Sequence, residues 1–117
     1  MYLLKRFRYA FNGLRLMFGD RNIRGHLWFA FFVSVLSFSC GITGEEWAIV
    51  ALTISFVIVA EAFNTVVERL CDIVSPNFSS DIGELKDISA GLVLISSIGA
   101  FTVGMVIFIP YLLDVMN

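Results

Sequence analysis

Glu46-Trp-Ala-Ile-Val-Ala-Leu-Thr-Ile-Ser-Phe-Val-Ile-Val-Ala-Glu61-Ala-Phe-Asn64-Thr-Val-Val-Glu68-Arg69-Leu70 reads as one apolar helix with two acids and an amide set into its second half. Glu61, Asn64 and Glu68 fall at i, i+3 and i+7, so they project from one side of that helix. A carboxylate at membrane depth costs roughly 2.5 kcal/mol or more and marks a functional site by default. Polar glue between helices is the plainer alternative, since an amide bridging two spans contributes roughly 0.6–2 kcal/mol.

Composition supplies the membrane setting. Hydrophobic residues make up 58% of the 117 residues and charged ones 15%, against about 25% charged in a soluble domain. Mean hydropathy is +0.86. Six of the eight basic residues (Lys5, Arg6, Arg8, Arg15, Arg21 and Arg24) lie before residue 26, accompanied by the single acid Asp20. Such a block places the N-terminus in the cytoplasm.

Three spans follow, over about residues 26–42, 46–70 and 87–113, each near the roughly 20 residues needed to cross the hydrocarbon. Reading the first as a hairpin leaves the second without a consistent orientation. With three spans the loop 71–86 is cytoplasmic and the C-terminus outside. The connection 43–46, with Glu45 and Glu46 but no Lys or Arg, suits the outer side.

Ahead of the spans, Leu3, Phe7, Phe11, Leu14 and Phe18 form an apolar stripe, while Lys5, Arg8, Asn12 and Arg15 line another face. An amphipathic surface helix over about 3–19 is expected, with its basic groups at anionic head groups. A signal peptide fits less well, because the basic block runs on to Arg24 and no small-residue cleavage site follows. Cys40 and Cys71 belong at opposite membrane faces, too far apart for a disulfide. His26 reads as an interfacial residue at a span boundary. No His/Cys cluster suggests zinc or thiol chemistry, and no repeat or linker divides the single domain 1–117.

Depth grades the polar stripe. Glu61 lies 61 − 46 = 15 residues beyond Glu46. At about 1.5 Å per residue that is roughly 22 Å, leaving about 8 Å of hydrocarbon before the cytoplasmic boundary. Glu68 reaches that boundary, where Asp20, Asp72, Lys86 and Asp87 also gather. Two carboxylates there suit Mg²⁺ together with phosphate oxygens and water, and Lys86 offers a compact positive charge for phosphate. Ser96, Ala100 and Gly104 form a small-residue stripe suited to close helix packing.

With those residues in view, the chain resembles the prokaryotic diacylglycerol kinase and undecaprenol kinase family of small membrane lipid kinases, over almost its whole length. Glu61-Ala-Phe-Asn64-Thr-Val-Val-Glu68 is similar to the family's E-x-x-N-[ST]-x-x-E signature. Asp72, Ser75-Pro76 and Lys86-Asp87 followed by Ser89-Ala90-Gly91 resemble its downstream pattern, and Tyr9-Ala10-Phe11-Asn12-Gly13-Leu14 its N-terminal segment. The resemblance implies an all-α membrane protein: a surface helix and three transmembrane helices in a homotrimeric bundle of the bacterial inner membrane, with the active site on the cytoplasmic side. It implies MgATP as donor and a membrane lipid alcohol as acceptor.

By position, Glu61 matches the catalytic base at the lipid hydroxyl, and Asn64 its polar partner. Glu68 matches a metal ligand, with Asp20 the nearest match to the second. Tyr9, Asp20, Glu68, Lys86 and Asp87 make up the ATP site. Phe78-Ser79 stands where many relatives have Tyr-His, and Glu84 where a basic residue is common. Ser75-Pro76-Asn77-Phe78 and Glu46-Trp47-Ala48 look more like the undecaprenol kinase branch, so undecaprenol is expected ahead of diacylglycerol. A small membrane transporter or a noncatalytic scaffold is the rival from another class. A transporter would place its acid near the midplane between repeated spans.

Overall fold

The computed structural model describes residues 1–77 and 79–117. Phe78, and with it part of the Phe78-Ser79 expectation, lies outside the described residues. Four helices follow in order: α1 Tyr2–Phe18, α2 Arg21–Cys40, α3 Gly44–Val74 and α4 Ser80–Met116. The last three are long and apolar enough to cross a membrane.

The helix ends differ from expectation because hydropathy locates apolar length, whereas capping groups locate the ends. Asp20, not His26, opens the second helix: its Oδ1 accepts from the backbone N–H groups of Asn22 (3.0 Å) and Ile23 (3.1 Å). That helix stops at Gly41, whose φ of +66° is left-handed and whose N–H reaches back to the carbonyls of Ser37 and Phe38. Thr43 and Glu46 then form a reciprocal capping box, with Glu46 N–H to Thr43 Oγ1 at 3.2 Å and Thr43 N–H to Glu46 Oε1 at 3.0 Å. Glu45 and Glu46 therefore sit in the first turn of α3 rather than in a loop.

At the other end, α3 continues to Val74 and Ser79 caps α4 through Ile82 N–H (3.3 Å). The expected loop 71–86 shrinks to residues 75–79. Polar turns extend both helices beyond their apolar stretches, so the 37-residue α4 measures about 55 Å. Pro110 lies inside α4 without ending it. A lipid-facing helix tolerates such a proline when neighbouring groups take up the freed carbonyl.

α3 and α4 form the main packed pair, α2 leans chiefly on α3, and α1 rests chiefly on α2. No residue of α1 is buried. A dry core of Ile42, Val50, Ile107 and Phe108 gathers at the end bearing the α2–α3 connection. There Tyr111 also donates a hydrogen bond to the Glu46 carboxylate, tying α4 to the start of α3. Ser96 is buried, its hydroxyl turned back to the Val93 carbonyl (2.8 Å). The close packing expected of its stripe does not extend to Gly104, where an added Cβ would meet nothing within 4 Å.

One copy leaves much apolar surface uncovered. Its accessible area is 9100 Å², whereas a compact soluble protein of 13.1 kDa exposes about 6,400 Å². The chain is a slab, 57 × 43 × 20 Å, with Phe31, Phe32, Leu94 and Phe101 among its exposed side chains. Lipid removes the hydrophobic drive between helices, so packing and interhelical polar bonds hold such a slab together.

Candidate functional site

At the end of the slab away from the dry core, the polar side chains expected from α3 meet partners from both neighbouring helices. Glu61 and Asn64 are buried at 5% and 8% exposure, whereas Glu68 is exposed. Burial within the protein thus falls along the stripe from Glu61 to Glu68. The stripe nevertheless divides between two neighbours.

Glu61 faces α2. Its Oε2 lies 3.3 Å from His26 Nε2, a side chain that is 27% exposed against 7% for the carboxylate. An ionised carboxylate only accepts hydrogen bonds, so in that state Nε2 carries the proton. Asn64 faces α4 instead. Its Oδ1 accepts from the buried Ser89 hydroxyl at 2.8 Å, and its Nδ2 donates to Glu68 Oε1 at 3.3 Å. Those two bonds fix which way the amide points, and they link the interior of the α3–α4 pair to an exposed carboxylate.

The boundary charges pair off differently from the expected cluster. Asp20 spends Oδ1 on capping α2, and its Oδ2 lies 3.7 Å from Arg69. Lys86 donates to Asp72 at 2.9 Å. Asp87 and Tyr9 are exposed, Tyr9 on α1. No direct bond joins Asp20, Glu68, Lys86 and Asp87 to one another among the described residues. Neither does any group of three metal-ligating side chains occur among them. Mg²⁺ does not require one, because it commonly binds one or two carboxylates with phosphate and water completing the shell. Glu68 fits that demand, keeping one oxygen free of the Asn64 bond. Asp20 fits it through Oδ2 alone.

Glu61 and His26 also line one end of a groove of about 970 Å³ between α2, α3 and α4. Arg21 stands at the same end. Phe32, Val57 and Phe108 make the remainder apolar. No buried side-chain oxygen or nitrogen lacks a partner among the described residues, and Glu61 Oε1 makes no hydrogen bond to them. The free oxygen is therefore not fully enclosed, on a side chain that lines the groove.

Two of these contacts escaped the sequence. His26 lies 35 positions from Glu61. The available signal was an ionisable ring at the edge of a span, the kind of residue whose partner needs naming. Ser89 stood within a resemblance motif without a role.

Fold and site together define an all-helical protein fit to cross a membrane three times, with a buried carboxylate at the polar end of an apolar groove. Residues 8–108 match the sequence profile of the family described as prokaryotic diacylglycerol kinase. The chain is 32% identical over 116 residues to a diacylglycerol kinase of Synechocystis sp., covering 97% of this chain and 66% of that protein. It is 28% identical over 93 residues to the undecaprenol kinase of Bacillus subtilis, covering 80% of this chain and 76% of the relative. The chain belongs to the prokaryotic diacylglycerol kinase family.

Proposed function

We propose that this protein is a lipid kinase, transferring the γ-phosphate of MgATP to the hydroxyl of a membrane lipid alcohol. The observation that carries this reading is a buried carboxylate, Glu61, at the polar end of an otherwise apolar groove. An apolar chain ending in a hydroxyl has the polarity of that groove. Family membership supports the same class of reaction.

In this mechanism Glu61 Oε1 accepts the proton of the lipid hydroxyl as that oxygen attacks the γ-phosphorus and ADP departs. Phosphoryl transfer asks a protein chiefly for positioning and charge stabilisation. Glu68, with Asp20 beside Arg69, would hold Mg²⁺, which when bound neutralises charge on the phosphates. Asn64 orients Glu68 through its Nδ2. Lys86, shared with Asp72, offsets developing charge, while Asp87 and Tyr9 contribute to the nucleotide site.

Undecaprenol is the proposed acceptor, supported by Ser75-Pro76-Asn77 and Glu46-Trp47-Ala48 and by the relative named for it; diacylglycerol is the alternative. We place the site at the cytoplasmic face of the bacterial inner membrane, because the basic block occupies α1 and the first turn of α2. A homotrimer would cover part of the excess apolar surface.

The test offers undecaprenol and diacylglycerol side by side in mixed micelles with radiolabelled ATP. Mg²⁺-dependent labelling of either separates a kinase from a transporter or scaffold, and the preferred lipid identifies the acceptor. Glu61→Gln is expected to abolish labelling without loss of helicity. Near-normal turnover in that variant would remove Glu61 from its role.

A further inference from the structure

The hydrogen bond from α2 to the buried carboxylate has no place in the transfer step as described, yet it reaches the group that would take the proton. We propose that His26 is a positioning residue for Glu61: its Nε2–H holds Oε2, leaving Oε1 directed to the acceptor hydroxyl. This inference rests on the kinase reading for its catalytic consequence, but not for the contact itself.

The geometry supports it in three ways. The 3.3 Å contact is the only interhelical polar bond made by Glu61 among the described residues. A carboxylate has two oxygens, and a donor on one restrains rotation of both. The charged form also gains from the donor, because a buried anion needs hydrogen bonds to persist. Finally, the ring belongs to α2 whereas the carboxylate belongs to α3, so the bond fixes the carboxylate relative to the groove wall. Without it Glu61 is free to turn among its rotamers at the groove end, and the near-attack arrangement is populated less often. Arg21 and Asn22, which line the same end, lie on α2 with His26. Neither makes a hydrogen bond or ion pair to Glu61, so neither duplicates the tether.

The chain contains one histidine, which gives the contact its own spectroscopic reporter. With ¹⁵N-labelled histidine in the full-length protein in micelles, the wild-type ring should show an Nε2-protonated tautomer, and Glu61→Gln should shift the ring signals. Glu46→Gln, at the far end of α3, should leave them unchanged. Ring signals indifferent to Glu61→Gln would overturn the contact.

The catalytic consequence is read in lipid-alcohol phosphorylation. His26→Phe keeps the ring's bulk and removes the donor. It should lower kcat by about 10- to 100-fold, the scale of a misplaced reacting group, with KM for MgATP unchanged. His26→Gln retains an N–H donor and should recover at least part of that loss. Wild-type kcat in His26→Phe, or a His26→Gln variant no better than His26→Phe, would overturn the positioning role. If the wild-type protein phosphorylates no lipid alcohol, the kinase reading fails while the ring-signal test still decides the contact.

Discussion

Ser89→Ala isolates the polar bond that joins α4 to α3. Ser89 is 2% exposed and its hydroxyl donates to Asn64 Oδ1 at 2.8 Å, while the same amide donates onward to Glu68. Interhelical hydrogen bonds in membranes average about 0.6 kcal/mol and reach about 1.7. Removing only the donor also leaves Oδ1 buried without a partner, a penalty of about 1–3 kcal/mol before relaxation. A net loss of about 1–2 kcal/mol is expected, roughly a tenfold change in the unfolding equilibrium. Asn64→Leu removes acceptor and donor together at similar size. It leaves Ser89 able to turn its hydroxyl to the carbonyl one helical turn earlier, so it should destabilise less than Ser89→Ala. Activity should rank the other way under the proposed function, because only Asn64→Leu removes the bond to Glu68 outright. Unfolding from mild detergent into SDS, followed by circular dichroism, measures the first ranking, and lipid phosphorylation the second. Wild-type stability in Ser89→Ala, together with a larger loss in Asn64→Leu, would refute the assigned network.

Asp20→Asn retains a capping side chain whereas Asp20→Ala does not, so only the alanine variant should lose about 1 kcal/mol of stability in the same unfolding assay. If Asp20 also serves Mg²⁺, both variants should raise the KM for MgATP; an unchanged KM in both would confine Asp20 to its cap. Gly41→Ala should cost about 1–2 kcal/mol by forcing a Cβ into the left-handed region. No atom lies within 4 Å of that Cβ, so Gly41→Asn, which tolerates the region better, should recover part of the loss; equal stability of glycine and alanine variants would contradict the backbone assignment.

The three apolar helices were legible because long apolar runs carry a strong signal in hydropathy alone. Their ends were not. Arg21 to Gly25 and Ser80 to Lys86 add helical turns too polar to register as spans despite Ile23, Ile82 and Leu85, and capping chemistry marks where they begin. Asp20 before an apolar run is such a mark, and the same acid is also the nearest match to a metal ligand. In the site, the order of burial from Glu61 to Glu68 runs in the direction that helical rise suggests. Which neighbour each residue would meet depended on the rotation of α3 against α2 and α4. A 3.6-residue period constrains that rotation only within its own helix. The partnerships of His26 and Ser89 therefore lie beyond sequence periodicity, as do the pairings of Lys86 with Asp72 and of Asp20 with Arg69.

The groove between α2 and α4 has a kinetic consequence of its own. Its apolar walls belong to helices fit to span a membrane, and α2 touches α4 only lightly. Under the proposed function, a lipid alcohol would enter sideways from the surrounding leaflet without crossing water. Encounter is then a two-dimensional search, governed by how many neighbouring lipids are acceptors. Half-saturation should track the mole fraction of acceptor in the micelle or bilayer, and diluting the same micelles with buffer should leave the rate per protein unchanged.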